Sequence, residues 1–248
     1  MADASLAVFT YALLTALATG LGALPFLFIP NGGKRLLGLA NSVAAGLMLA
    51  ASFSLVYQGL TLGAGKTLLG VLLGLVFILL AHRFIEARGG FEWGRMDRID
   101  AKKALMIVLV MTAHSFAEGV GVGVAFGGGH AFGVFITLAI AVHNIPEGLA
   151  ISSVLVPRGV PWWRAGLWSV FSSLPQPLMA VPAYWFVEAF RSFLPLGFGF
   201  AAGAMIWLVF SEILTDALED TPSETVASVV TLAIVAMLGF QLLIGPTP

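Results

Sequence analysis

Apolar positions along this 248-residue chain come in long continuous runs, without the alternation of a half-buried strand or the one-sided stripe of a soluble helix. Eight runs match the roughly 20 residues needed to cross a bilayer, at approximately 5–30, 35–60, 66–86, 103–127, 131–156, 161–189, 195–218 and 224–245. They predict an all-α polytopic membrane protein, a single transmembrane domain of eight helices over residues 1–248. The run 161–189 carries Pro175, Pro177 and Pro182, so a tilt or kink is expected there. The first run does not read as a cleavable signal, because Asp3 stands where a positive region would be and the run exceeds an h-region.

Composition supports lipid as the solvent: 59% of residues are hydrophobic and 10% are charged, against about one quarter charged in soluble domains. Mean hydropathy is +0.98. A net charge of -1, with no basic patch interleaved with aromatics, argues against nucleic acid as a partner. The absence of cysteine excludes disulfides, thiolate metal sites, iron–sulfur clusters and cysteine nucleophiles.

The few cations are unevenly placed. Lys34 and Arg35 follow the first run. Arg83, Arg88, Arg95, Arg98, Lys102 and Lys103 lie between the third and fourth, and Arg158 and Arg164 between the fifth and sixth. If the runs alternate in direction, these ten share one side and only Lys66 and Arg191 of the 12 fall on the other. The positive-inside rule then puts both termini on the non-cytoplasmic face. The most hydrophilic stretch, Arg88 to Lys103, reads as a cytoplasmic connector.

Candidate chemistry lies inside the apolar runs. His114-Ser-Phe-Ala-Glu118-Gly119 and His143-Asn-Ile-Pro-Glu147-Gly148 each place a His and a Glu four residues apart. On a helix that spacing puts both on one face, about 6 Å apart along the axis. An isolated charge at mid-bilayer costs about 2.5–3.5 kcal/mol, so these groups must face one another, a cavity or an ion. The short Gly127-Gly128-Gly129-His130 connection makes the two helices antiparallel neighbours, and the His of each then lies at the depth of the Glu of the other. Two such layers of nitrogen and oxygen donors suit a borderline divalent cation, Zn²⁺ first, with Fe²⁺, Mn²⁺, Co²⁺ and Cd²⁺ as alternatives.

Neighbouring residues add detail. Pro146 lacks the N–H that would reach the Val142 carbonyl, which predicts a kink beside the motif. Gly119, Gly121, Gly123 and Gly127 have no Gly-Lys-Ser/Thr after them and read as a helix-packing face, not a phosphate loop.

The paired motif, in particular His143-Asn144-Ile145-Pro146-Glu147-Gly148, resembles the ZIP (Zrt/Irt-like) family of divalent-metal transporters, closest to its ZupT-like and GufA-like branch. The likeness extends over the whole chain, with eight spans and external termini. It implies uptake of a divalent cation toward the cytoplasm, with His114, Glu118, His143 and Glu147 as metal ligands. It also implies inverted symmetry between spans one to three and six to eight, and alternating access around a midplane site. By the same resemblance Met48, in Gly46-Leu47-Met48-Leu49-Ala50, is a candidate thioether ligand, and Glu212 matches an acidic group toward the cytoplasmic exit, with Asp216 one turn on.

Relatives with two adjacent metals supply the second with an Asn after the first His, an Asp or Asn after the second His, and a Glu on span six. This chain has Ser115, Asn144 and Gln176 at those positions, all neutral, so one strongly held metal is expected. No prosthetic cofactor and no enzymatic activity are expected; an intramembrane metallohydrolase would need a His-Glu-x-x-His order, which is missing. A channel or proton-coupled carrier for another ion is the alternative. The expected location is a cell (plasma or inner) membrane rather than an organellar one, and assembly as a homodimer is left open.

Overall fold

The computed structural model describes residues 2–28, 34–88 and 98–244. Its helices are α1 (Ala2–Leu21), α2 (Pro25–Phe28), α3 (Lys34–Arg88), α4 (Arg98–Gly128), α5 (His130–Leu155), α6 (Trp162–Ser173), α7 (Pro175–Ala189), α8 (Leu194–Leu208), α9 (Leu214–Asp220) and α10 (Ser223–Ile244). No strand occurs among the described residues. Five helical stretches there are long and apolar enough to cross a membrane: Asp3–Phe28, Arg35–Phe84, His130–Arg158, Arg191–Glu219 and Ser223–Leu243.

Several boundaries differ from the apolar runs, each for a local reason. The first run breaks after Leu21, where Gly22 and Pro25 flank a turn. Runs two and three have no loop between them, because α3 passes through both and is interrupted at Gly63, whose backbone is extended (φ 172°, ψ 91°). The chain folds back at that residue: a Cβ on Gly59 would lie 2.7 Å from Thr67 Cγ2, whereas eight residues of straight helix rise about 12 Å. The expected connector 88–103 shortens because α4 already begins at Arg98. The 161–189 run breaks at Leu174, just before Pro175, which has no N–H to continue the ladder. α5 stays helical through Pro146. Between α4 and α5 stands a single residue, Gly129, at φ 139° and ψ 151°, a conformation that a side chain would strain.

Glycines set which helices touch and in which direction. Along α4, a Cβ on Gly119 would lie 2.6 Å from the Gln176 carbonyl oxygen, one on Gly123 would lie 2.1 Å from that of Ala180, and one on Gly127 would meet Val187. The contacts advance together, so α4 and α7 run parallel with backbones in contact. Gly121 faces α8 instead, at an ordinary 3.4 Å from Ala201. Gly70 and Gly74 meet Leu196 and Phe200, so the second half of α3 is parallel to α8. Asn144 contacts Thr15 and Gly148 contacts Thr19, which makes α5 parallel to α1.

At one end of the bundle the connections are tied together. Lys66 Nζ donates to the Ser192 carbonyl at 2.7 Å and Arg191 to the Gly127 carbonyl at 3.1 Å, which joins the bend of α3, the α7–α8 link and the α4–α5 turn. The outer surface is apolar, with Phe28, Tyr57, Leu242 and Leu243 more than two-thirds exposed, as lipid rather than water would favour.

The tightest approach provides a packing test. A Cβ on Gly148 would lie 1.7 Å from the Thr19 carbonyl oxygen, and backbone cannot yield as a flexible side chain can. Gly148→Ala should therefore destabilise the protein by about 2 kcal/mol or more, read as a lower Tm in detergent. Gly239→Ala, where nothing lies within 4 Å, should leave Tm unchanged.

Candidate metal site

The two motif helices cross so that His114 and Glu118 on α4 face His143 and Glu147 on α5. One ligand atom from each of the four lies within 4.8 Å of the others. All four side chains are buried, with Glu147 the most exposed at 4%. His114 Nε2 stands 2.6 Å from Glu147 Oε1 and 3.2 Å from Glu118 Oε1, while His143 Nε2 closes on Glu118 Oε1. These are the two His/Glu layers expected from antiparallel neighbours.

His114 Nε2 and Glu147 Oε1 approach closely as a buried pair. Buried polar atoms are normally paired, because leaving one unsatisfied costs about 1–3 kcal/mol. Imidazole nitrogens and carboxylate oxygens that converge in this way are also the donor set of a shared divalent cation. Two neutral imidazoles and two carboxylates carry a formal charge that one divalent ion cancels.

The remaining candidates sit in different surroundings. Gln176 is fully buried and lies on Glu118: its Nε2 donates to Oε2 at 2.5 Å. Gly119 explains that placement, since its missing side chain lets α4 rest on the Gln176 backbone one residue from Glu118. Asn144 donates from Nδ2 to the Thr15 carbonyl (2.8 Å) and to Gln176 Oε1 (3.1 Å). Ser115 is buried beside His114, and its hydroxyl has no hydrogen-bond partner among the described residues. Met48 is fully buried on α3 within the main apolar core.

Glu212 is not one of the four converging groups. It sits in a π-helical turn, Val209–Ile213, with Oε1 3.1 Å from His82 Nδ1 on α3. Wide turns of this kind recur at functional positions. His82 escaped the sequence reading because it stands next to Arg83 and looks like a membrane-edge residue. Thr15 was missed too, although Thr15 and Thr19, four apart in an apolar run, mark a polar face on α1.

A buried His/Glu cage within an apolar helical bundle is a group of side chains that could hold a metal ion. Comparison with known proteins gives the family. The family model of the ZIP zinc transporters matches residues 94–245. Zinc transporter GufA of Myxococcus xanthus is 31% identical over 82% of this chain and 85% of its own length. Zinc transporter ZIPB of Bordetella bronchiseptica is 34% identical, over 90% and 76% respectively. An Arabidopsis thaliana protein is 48% identical over 236 residues, 94% of this chain, which spans 38% of the plant protein's length. The chain belongs to the ZIP zinc transporter family.

Proposed function

We propose that this chain carries a divalent cation, zinc, across a cell membrane into the cytoplasm, through His114, Glu118, His143 and Glu147 as ligands. The observation that carries the reading is the convergence of one ligand atom from each of these four buried residues to within 4.8 Å of the others. The zinc assignment is supported by the nitrogen and oxygen donor set and by the relatives, which are named zinc transporters.

Eight crossings are proposed, with the two halves of α3 as separate spans and α6 with α7 as one. The parallel pairing of α1 with α5, α4 with α7 and the second half of α3 with α8 supports this, since each pair joins two odd or two even spans. Lys66, bonded to the Ser192 carbonyl, and Arg191, bonded to the Gly127 carbonyl, share the end proposed to be non-cytoplasmic. Glu212, on the same helical stretch as Asp216 and near the opposite end, would receive the ion on its way to the cytoplasm. Met48 is the one buried sulfur offered by the resemblance as a further ligand.

The test is flux into proteoliposomes loaded with a metal-sensitive dye, run with Zn²⁺, Fe²⁺, Mn²⁺, Co²⁺ and Cd²⁺. Saturable Zn²⁺ uptake is expected. Flux that never saturates would favour a channel, and proton movement without metal flux would favour a carrier for another ion.

Orientation has its own check, made simple by the absence of native cysteines. Ala2→Cys and Thr247→Cys should react with an impermeant thiol reagent from the non-cytoplasmic side, and Glu92→Cys should not. Reaction at Glu92→Cys in sealed, right-side-out vesicles would reverse the proposed topology.

A further inference from the structure

We propose that Thr15 sets the metal preference of the site by positioning Glu118 through the Gln176 amide, an inference that rests on Glu118 being a metal ligand. Thr15 lies on α1, a helix that contributes none of the four His/Glu groups.

The orientation of each amide follows from its partners. A backbone carbonyl can only accept, so the Asn144 atom 2.8 Å from the Thr15 carbonyl is the nitrogen. That same nitrogen lies 3.1 Å from Gln176, which makes the facing Gln176 atom its oxygen. The Thr15 hydroxyl donates to this oxygen at 2.5 Å, within reach also of the Ala12 carbonyl at 2.6 Å. With its oxygen held on that side, Gln176 must turn Nε2 toward Glu118 Oε2, where it stands at 2.5 Å. Thr15, Asn144, Gln176 and Glu118 are all 0% exposed, so water does not compete for these bonds.

The consequence is a restriction on Glu118. Its Oε2 is held from outside the cage, and its Oε1 alone faces His114 and His143. Glu118 therefore offers an ion one oxygen. With two imidazole nitrogens and Glu147, the set comes to four donors, the number tetrahedral Zn²⁺ takes. Mn²⁺ favours six oxygen-rich positions and would gain from both oxygens of Glu118. Loosening the amide should free Oε2 to join the coordination sphere, which favours Mn²⁺ more than Zn²⁺.

Thr15→Val removes the hydroxyl while preserving shape and the carbonyl that holds Asn144; Thr15→Ser restores the hydroxyl. The measurement is the ratio of Zn²⁺ to Mn²⁺ affinity, by competition on purified full-length protein, with the ratio of uptake rates beside it. Thr15→Val should lower the ratio about fivefold, the worth of one ordinary hydrogen bond. Thr15→Ser should keep the wild-type ratio. Gln176→Met deletes the donor to Glu118 at similar length, and should lower the ratio at least as far.

An unchanged ratio in Thr15→Val or Gln176→Met would overturn the proposal, as would Thr15→Ser behaving like Thr15→Val, since packing alone would then explain the effect. Wild-type protein that bound neither metal would instead overturn the assignment of the four ligands, a distinct failure visible before any variant is compared.

Discussion

Glu147→Ala and His143→Ala should each abolish metal transport while the protein still accumulates in the membrane. Each removes one of four converging donors. Partners standing behind a ligand are already worth roughly 10–100-fold in metal affinity, so deleting a ligand should cost more than about 100-fold. Glu147 is the cleaner position, because its loss leaves His114 Nε2 still facing Glu118 Oε1 at 3.2 Å. Glu118→Ala would confound the result, since it also leaves the Gln176 amide and His143 without their carboxylate in the core. Metal titration of purified protein is the decisive readout. If both variants kept wild-type affinity, the ion would have to bind elsewhere.

Purified wild-type protein should hold one tightly bound metal per chain. A second divalent cation a few ångströms from the first would be repelled strongly in a low-dielectric interior, and only added anionic ligands offset that repulsion. The neighbouring groups are the neutral Ser115, Asn144 and Gln176, and Gln176 already has both amide atoms engaged, with Glu118, Thr15 and Asn144. Gln176→Glu changes this in one step. It would place a carboxylate about where Nε2 now contacts Glu118 Oε2, and two like charges so close require a cation or a shared proton between them. The variant should move the stoichiometry toward two and make its thermal stability more dependent on metal. Elemental analysis is the check. Two tightly held metals in the wild type would mean that backbone carbonyls or water complete a second site.

The His/Glu pairs show how far sequence spacing reaches. Four-residue spacing fixes one face of a helix, and a connection as short as Gly127 to His130 forces antiparallel neighbours, so the two mixed layers follow from arithmetic on helix geometry. Gln176 shows where spacing stops. Its position on another helix marked it as the counterpart of a metal-binding Glu, but its hydrogen bond to Glu118 depends on Gly119 letting α4 rest on α7. Thr15 is separated from Gln176 by 161 positions, and local spacing carries no information at that range.

Helix against helix, the same division holds. The apolar runs alone determined an all-α, lipid-facing chain, because every backbone polar group in hydrocarbon must be satisfied within its own helix. They also located the four buried ionisable groups, since charge in such a run is too costly to be incidental. Tertiary structure decided the fold-back of α3 at Gly63, the pairing of Glu212 with His82, and the amide chain from Thr15 to Glu118. Each depends on which helices lie side by side and at what depth. That is set by backbone contacts at small residues such as Gly148 on Thr19, a steric fit between distant segments to which hydropathy is blind.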